Sequence, residues 1–123
     1  MTEKMKELAY RNLLEVFGQR DSEARMEAIR ETYDENIKFY DPDEVVTGWD
    51  ALNEKAQKIL AESPGFVFKT AGDVQVSHNL AVLAWQFGPE GEEPVVRGLD
   101  ISIVENGRIA ILHTLIDTQP ESS

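Results

Sequence analysis

The pair Asn106-Gly107, set between two apolar runs in VVRGLDISIVENGRIAILHTLID (residues 95–117), constrains this chain more than any other feature. A two-residue turn of that composition takes positive φ at both positions and joins adjacent antiparallel strands, so it predicts a hairpin and pins its register. Side chains alternate along a strand. On the first strand Val95, Arg97, Leu99, Ile101 and Ile103 share one face, and Val96, Gly98, Asp100, Ser102 and Val104 the other. On the second, Ile109, Ile111, His113 and Leu115 alternate with Ala110, Leu112, Thr114 and Ile116. Both faces are largely apolar, which predicts a hairpin covered on both sides. Asp100 is the exception. A carboxyl centred in such a strand must be hydrogen-bonded, paired or held protonated in a pocket, because burying a bare charge is prohibitive.

A chain of 123 residues makes one domain with a real core. It has no cysteine, so a disulfide framework, a thiol nucleophile and a cysteine-built zinc site are all excluded, and a reducing, cytoplasmic setting is expected. The opening MTEKMKELAYRNLLEVF is amphipathic rather than an apolar leader, and no apolar run approaches the length of a membrane span. With 23 acidic against 12 basic residues and a formal charge of -11, no nucleic-acid or membrane partner is expected. Solubility is the plain explanation of that charge.

Thr2 to Gly18 carries Met5, Leu8, Ala9, Leu13, Val16 and Phe17 at helical spacing, with Gly18 as the stop. A second helix opens at Asp21 or Ser22, either of which can cap free N–H groups, and buries Met26, Ile29 and Tyr33. Asn36 to Asp41 reads as a short strand that Pro42 stops, with Ile37, Phe39 and Asp41 on one face. Thr47-Gly48-Trp49-Asp50 has the form of a capping box for a third helix, whose stripe is Trp49, Leu52, Ala56, Ile59 and Leu60 and whose end is Ser63-Pro64-Gly65. Strands follow at 66–71, 74–76, 80–87, 95–104 and 108–116, and Gln119 to Ser123 reads as a polar tail. The domain is therefore expected over 1–118, as an α+β fold of three helices and a mostly antiparallel sheet. One sheet face takes the helices. No helix remains for the other, which carries Leu99, Ile101, Ile103, Ile109 and Ile111, so a second copy is the expected cover and a homodimer the expected assembly.

Taken in order, Tyr40-Asp41-Pro42, Gly48 to Leu52, Pro64-Gly65-Phe66, Gly98-Leu99-Asp100, Asn106-Gly107-Arg108-Ile109 and Leu115-Ile116-Asp117 resemble the nuclear-transport-factor-two-like superfamily, above all its SnoaL-like and ketosteroid-isomerase-like branches. The resemblance implies a cone, a strongly bent sheet wrapped around the three helices with an apolar pocket at its wide end. That fold hosts isomerases, cyclases, epoxide hydrolases, dehydratases and plain binding proteins. It also implies roles. In the ketosteroid-isomerase branch an aspartate before proline at the end of the first strand shuttles the proton, and a second, in the long strand before the final turn, is a protonated oxyanion donor. Asp41 and Asp100 match those positions. The tyrosine that this branch carries on its first helix falls near Leu13 or Leu14, so Tyr10, Tyr40 or His78 would have to replace it. The epoxide-hydrolase branch's aspartate near the end of the last strand falls at Thr114, and the aspartate–histidine pair of the cyclases would need Asp100 with His78 or His113. The pocket so implied is lined by Phe39, Tyr40, Trp49, Trp85, Leu112, Thr114 and Ile116, takes a small hydrophobic molecule, and uses neither cofactor nor metal.

Each candidate also has a plainer explanation. Asp41 as general base competes with an Asp-Pro whose carboxylate caps a turn. Asp100 as a pocket group competes with a buried carboxylate paired to Arg97, His78 or a backbone donor. His78 as acid or base competes with an exposed turn position, and His113, on the Ile111 and Leu115 face, belongs with the dimer surface. Trp49, Trp85, Phe39, Phe66, Phe68 and Phe87 are core residues first and pocket lining second. The resemblance implies three functions to weigh: proton transfer α to a carbonyl by Asp41 with Asp100 stabilising the enolate, non-catalytic ligand binding or a dimeric adaptor role, and hydrolysis or dehydration by Asp100 with His78.

Overall fold

The computed structural model describes residues 2–117, so the expected tail at 119–123 lies outside the described residues. In chain order the elements are helix α1 (Thr2–Arg11) continued by a π-helical segment (Asn12–Phe17), helix α2 (Ser22–Thr32), strands β1 (Tyr33–Tyr40) and β2 (Val45–Thr47), helix α3 (Trp49–Ala61), and strands β3 (Phe66–Thr70), β4 (Gln75–Ser77), β5 (Leu80–Pro89), β6 (Val96–Glu105) and β7 (Arg108–Asp117). The strands form one curved, unclosed sheet in the order β2-β1-β7-β6-β5-β3, with β4 also paired to β5. All its pairings are antiparallel except β1 with β7. The helices fill its concave side: α1 packs on β5 and β4, the π-helical segment on β3, α2 on β1 and β7, and α3 on β1 and β2. This is the expected α+β cone.

The turn behaves as its composition requires. Asn106 and Gly107 take φ of 53° and 80°, and Glu105 pairs directly with Arg108. One detail of the hairpin departs from simple alternation. Val104 pairs with Ile109 but Ile103 with Ile111, so Ala110 is the extra residue of a β-bulge. One inserted residue reverses the alternation. Ile109 therefore turns inward and is fully buried, leaving the expected outer set, whereas Ile111, His113 and Leu115 stay outside.

The third helix starts differently from the capping-box expectation. Thr47 is held extended by its pairing with Lys38, which makes it the end of a strand that the sequence did not signal. Gly48, at φ 92°, is the N-cap without a side-chain bond, and its N–H donates to the Ile37 carbonyl at 2.8 Å. Tyr33, read as a helix residue, opens β1 instead. The second helix is capped as expected, with Asp21 accepting from the Ala24 N–H at 2.9 Å.

Two arginines tie the helices together. Arg20 donates to the carbonyls of Leu60, Ser63 and Phe66 at 2.8–2.9 Å, satisfying the end of α3 and the entry to β3. Arg25, fully buried on α2, donates at 2.6 Å to Asn53 Oδ1, Gln57 Oε1 and the Gln19 carbonyl.

The convex face of the sheet is apolar across three strands. Register places Leu80, Ile103 and Ile111 in one row, Val82, Ile101 and His113 in the next, and Ala84, Leu99 and Leu115 in a third. Gln86, Arg97 and Asp117 form a polar row beyond them. Leu115 is 54 % exposed there.

Candidate functional site

Alternation puts Asp100 on the inner face of β6, where it is 5 % exposed and meets three donors. Thr114 Oγ1 and Trp85 Nε1 donate to Oδ1 at 2.7 and 2.9 Å, and Asn12 Nδ2 donates to Oδ2 at 2.7 Å. Behind Asn12, whose Nδ2 faces Asp100, the buried Tyr33 hydroxyl donates to Asn12 Oδ1. Burial pushes the Asp100 carboxyl above its ordinary value, and the bonds from Thr114, Trp85 and Asn12 oppose that rise without cancelling it. Burial, reinforced by the Asp100 charge, pushes the Tyr33 hydroxyl well above its own ordinary value, so Tyr33 stays a donor. Neither Arg97 nor His78 is a partner. Arg97 is exposed on the outer face, and His78 is exposed in the β4–β5 turn at φ 53°.

The other carboxyl lies where β1 ends. Asp41 Oδ1 accepts from the N–H groups of Asp43 and Glu44, both at 2.8 Å, and Oδ2 meets Lys55 Nζ of α3 at 2.6 Å. Lys55 also holds Glu44 Oε2 at 2.7 Å. Burial works to raise the Asp41 carboxyl, but the Lys55 ammonium and the two N–H donors outweigh it and hold Asp41 below its ordinary value. The turn-capping role set against catalysis in the sequence is thus present. It does not exclude the other role, because Asp41 also lines the cavity.

That cavity, of about 420 Å3, brings both carboxyls to one wall system. The lining includes Leu13, Phe17, Phe39, Ile59, Phe68, Trp85, Phe87, Val96 and Ile116, with Asp100 and Thr114 as one polar group and Asp41-Pro42-Asp43 as the other. Of the residues expected there, Phe39, Trp85, Thr114 and Ile116 take their places. Four others do not. Leu112 is fully buried in the core cluster, Tyr40 stacks on His113 with centroids 4.6 Å apart, and His78 is in its exposed turn. Trp49 lies beside Glu35, Thr47 and Gly48 in a separate depression and donates Nε1 to the Tyr33 carbonyl at 3.1 Å. Two of these placements have a local cause. Tyr40 follows Phe39 by one residue and so takes the opposite face, and His78 occupies the left-handed position of a two-residue turn, which aims it away from the sheet interior.

Three supporting residues were not singled out in the sequence. Asn12 had a legible signal, since it falls on the Met5, Leu8, Val16 stripe, where helical period demands an apolar side chain. Tyr33 and Lys55 had none, because a tyrosine at a helix–strand junction and a lysine on a helix are ordinary residues until their partners are known. The π-helical segment begins at Asn12, with Gly18 N–H bonded to the Leu13 carbonyl at 2.8 Å. Among the described residues no group of three His, Cys, Asp or Glu side chains is arranged to hold a metal, and no helix is long and apolar enough to cross a membrane.

Linkage makes the Asp100 environment testable. A carboxyl whose folded-state value is raised contributes stability that is fully present below its unfolded value, near 3.8, and lost as pH rises through the folded one. In Asp100→Asn that dependence is gone. The polar chain can accommodate the amide by reversing Asn12, which then donates to the Tyr33 oxygen and leaves the Tyr33 proton without its acceptor. Relative to wild type, the variant is therefore expected to gain stability as pH rises above about 4, by up to about 1.4 kcal/mol per pH unit until the wild-type carboxyl ionises. Urea denaturation at stepped pH measures it, and a difference that stays flat from pH ~3 to pH ~8 would contradict the raised carboxyl.

The profile of the SnoaL-like domain family matches residues 10–112. No curated protein matches significantly. Among solved structures, a candidate isomerase of the SnoaL-like family from Agrobacterium tumefaciens superposes with a TM-score of 0.87 at 22% identity, over 96% of this chain and 100% of that one. A candidate SnoaL-like polyketide cyclase from Jannaschia sp. gives 0.76 at 14% identity, over 94% and 86%. A candidate ketosteroid isomerase from Kribbella flavida gives 0.75 at 16% identity, over 98% and 83%. At these identities the superpositions establish the fold and leave activity to the chemistry of the cavity.

Proposed function

The chain belongs to the SnoaL-like domain family, and for its cavity we propose cofactor-independent proton transfer on a small hydrophobic carbonyl compound. One observation carries this: two carboxyls line a single apolar cavity, and their surroundings push them in opposite directions, Asp41 down and Asp100 up. Groups tuned apart in this way divide into base and acid. Asp41, ionised, removes a proton from the carbon α to the carbonyl. Asp100, protonated, donates to the carbonyl oxygen as negative charge gathers on it, with the Thr114 hydroxyl beside it. Asp41 then returns its proton to the same or a conjugated carbon, so nothing beyond the substrate is consumed. A cavity of about 420 Å3 walled by Phe17, Phe39, Phe68, Trp85 and Phe87 suits an apolar ring system. The test is hydrogen–deuterium exchange and double-bond migration in neutral unsaturated ketones, from bicyclic enones to ketosteroids, followed by NMR. Absence of both across the series would overturn catalysis.

A second reading, ligand binding without chemistry, is favoured by the Asp41–Lys55 ion pair, because a carboxylate held low is a weaker base. Under it the same ketones bind but do not exchange.

We also propose that a second copy of the chain covers the convex face. Its three apolar rows have no cover within the described residues, and with Lys38 beside Ile111 and Arg97 paired to Asp117 the face lacks the acidic excess of a chain whose formal charge is -11, so like-charged copies meet there with least repulsion. Light scattering is expected to give twice the chain mass for the wild type and the single mass for Ile101→Asp. A dimer that survives the substitution would place the contact elsewhere.

A further inference from the structure

We infer that Gly98 is a positioning residue: its missing side chain is what lets Trp85 lie across β6, where the indole forms one cavity wall and also reaches Asp100. The register sets the geometry. Trp85 pairs with Gly98, and Leu83 with Asp100, so Trp85 and Asp100 are diagonal neighbours on the inner face and the indole must pass over position 98 to donate to Oδ1 at 2.9 Å. A β-carbon on Gly98 would stand 2.2 Å from Trp85 Cζ2, 2.6 Å from Cη2 and 2.7 Å from Cε2. Those are atoms of a rigid bicycle, so the ring has to move as a whole. Its retreat is limited by Phe68, packed edge-on at 5.3 Å and itself stacked on Phe87 at 4.1 Å. The remaining direction is into the cavity.

The backbone gives no separate reason for glycine here. Gly98 is absent from the positive-φ positions, and in a strand interior glycine is worse than alanine by roughly 0.5–1 kcal/mol. The indole is the reason. A side chain at 98 would shrink the space for a ligand and remove one of the three donors on Asp100, so Gly98 governs both how deep a ligand sits and how Asp100 holds its proton. This inference rests on Asp100 being the polar anchor of the cavity, but not on the protein being a catalyst.

A double-mutant cycle of Gly98→Ala with Trp85→Leu tests it, with two readouts that need no substrate: the Kd of the neutral fluorophore N-phenyl-1-naphthylamine, and the titration of the Asp100 carboxyl by carbon-13 NMR. Gly98→Ala alone is expected to weaken the fluorophore by about tenfold or more and to shift the Asp100 titration upward through the lost N–H. In the Trp85→Leu background the same change is expected to alter affinity by less than about twofold and to leave the titration where Trp85→Leu puts it. Additive effects, or a folded Gly98→Ala protein with both readouts unchanged, would overturn the inference. Should Gly98→Ala fail to fold, recovery of folding in the double variant supports it and failure of the double variant where Trp85→Leu folds overturns it. Coupling without any ketone exchange would leave the positioning role standing and remove only the proton-transfer proposal.

Discussion

Asp41→Asn is expected to lower the rate of ketone α-proton exchange by about 10³-fold, with a modest loss of stability because the ionised carboxylate that Lys55 favours is gone. Asparagine keeps an oxygen that accepts the N–H groups of Asp43 and Glu44, so the turn after β1 keeps its hydrogen bonds. What it loses is the Lys55 contact at 2.6 Å and the lone pair that takes the proton. Lys55 retains Glu44, so its charge is not stranded. Stopped-flow or NMR exchange rates and thermal melts on the same samples separate the two effects, and a variant as active as wild type would exclude Asp41 as the base. The wild-type pH profile carries a second signature. Asp41 ionises below the ordinary carboxylate range and Asp100 loses its proton above it, so the rate rises through the first and falls through the second. In Asp41→Asn the acidic limb is expected to vanish with the activity.

Arg25→Leu is the substitution expected to damage the fold most. Replacing a whole buried ion pair by apolar groups is often harmless, but here only the cation would go, leaving Asn53 Oδ1, Gln57 Oε1 and the Gln19 carbonyl without their donor. Burial lowers the Arg25 pKa and the neighbouring charge of Asp21 offsets part of that, so the guanidinium is held mainly by these neutral acceptors. A loss of about 3 kcal/mol follows, equivalent to roughly 10 °C in Tm for a domain of this size. Arg25→Lys retains the charge but lacks the planar fork that meets three acceptors at once, and is expected to recover only a minor part. Urea unfolding with an unchanged slope measures both, and a loss under about 1 kcal/mol would show that solvent or rearranged amides replace the guanidinium.

How much could be read in advance differed from one residue to the next, for physical reasons. Asn106-Gly107 was legible because the turn is local: two φ angles and two flanking strands decide it. Asp100 was legible as an anomaly because a carboxyl in an apolar alternation demands an account, and Asp41 because proline follows it and a family pattern places a base there. Their partners were not. Arg97 and His78 are near Asp100 in sequence or in chemical type, yet the donors are Asn12, Trp85 and Thr114, brought together from the first helix and two other strands. Lys55 reaches Asp41 only because α3 packs against β1. The apolar stripe that runs from α1 into the π-helical segment contains Asn12, a polar residue that breaks its period.

The sequence by itself determined the three helices, most of the strands, the two-residue turn of the hairpin, the strand face that Asp100 shares and the apolar convex face, because alternation, helical period and turn chemistry act over a few residues. Only the tertiary structure decided the rest. The bulge at Ala110 reversed Ile109, pairing with Lys38 drew Thr47 out of the expected cap, and the curvature of the sheet gathered Asp41 and Asp100 onto one cavity. Opposite proton affinities for two chemically identical side chains likewise come from neighbours that are distant in the chain, since burial and donors, not residue type, set where a carboxyl gives up its proton.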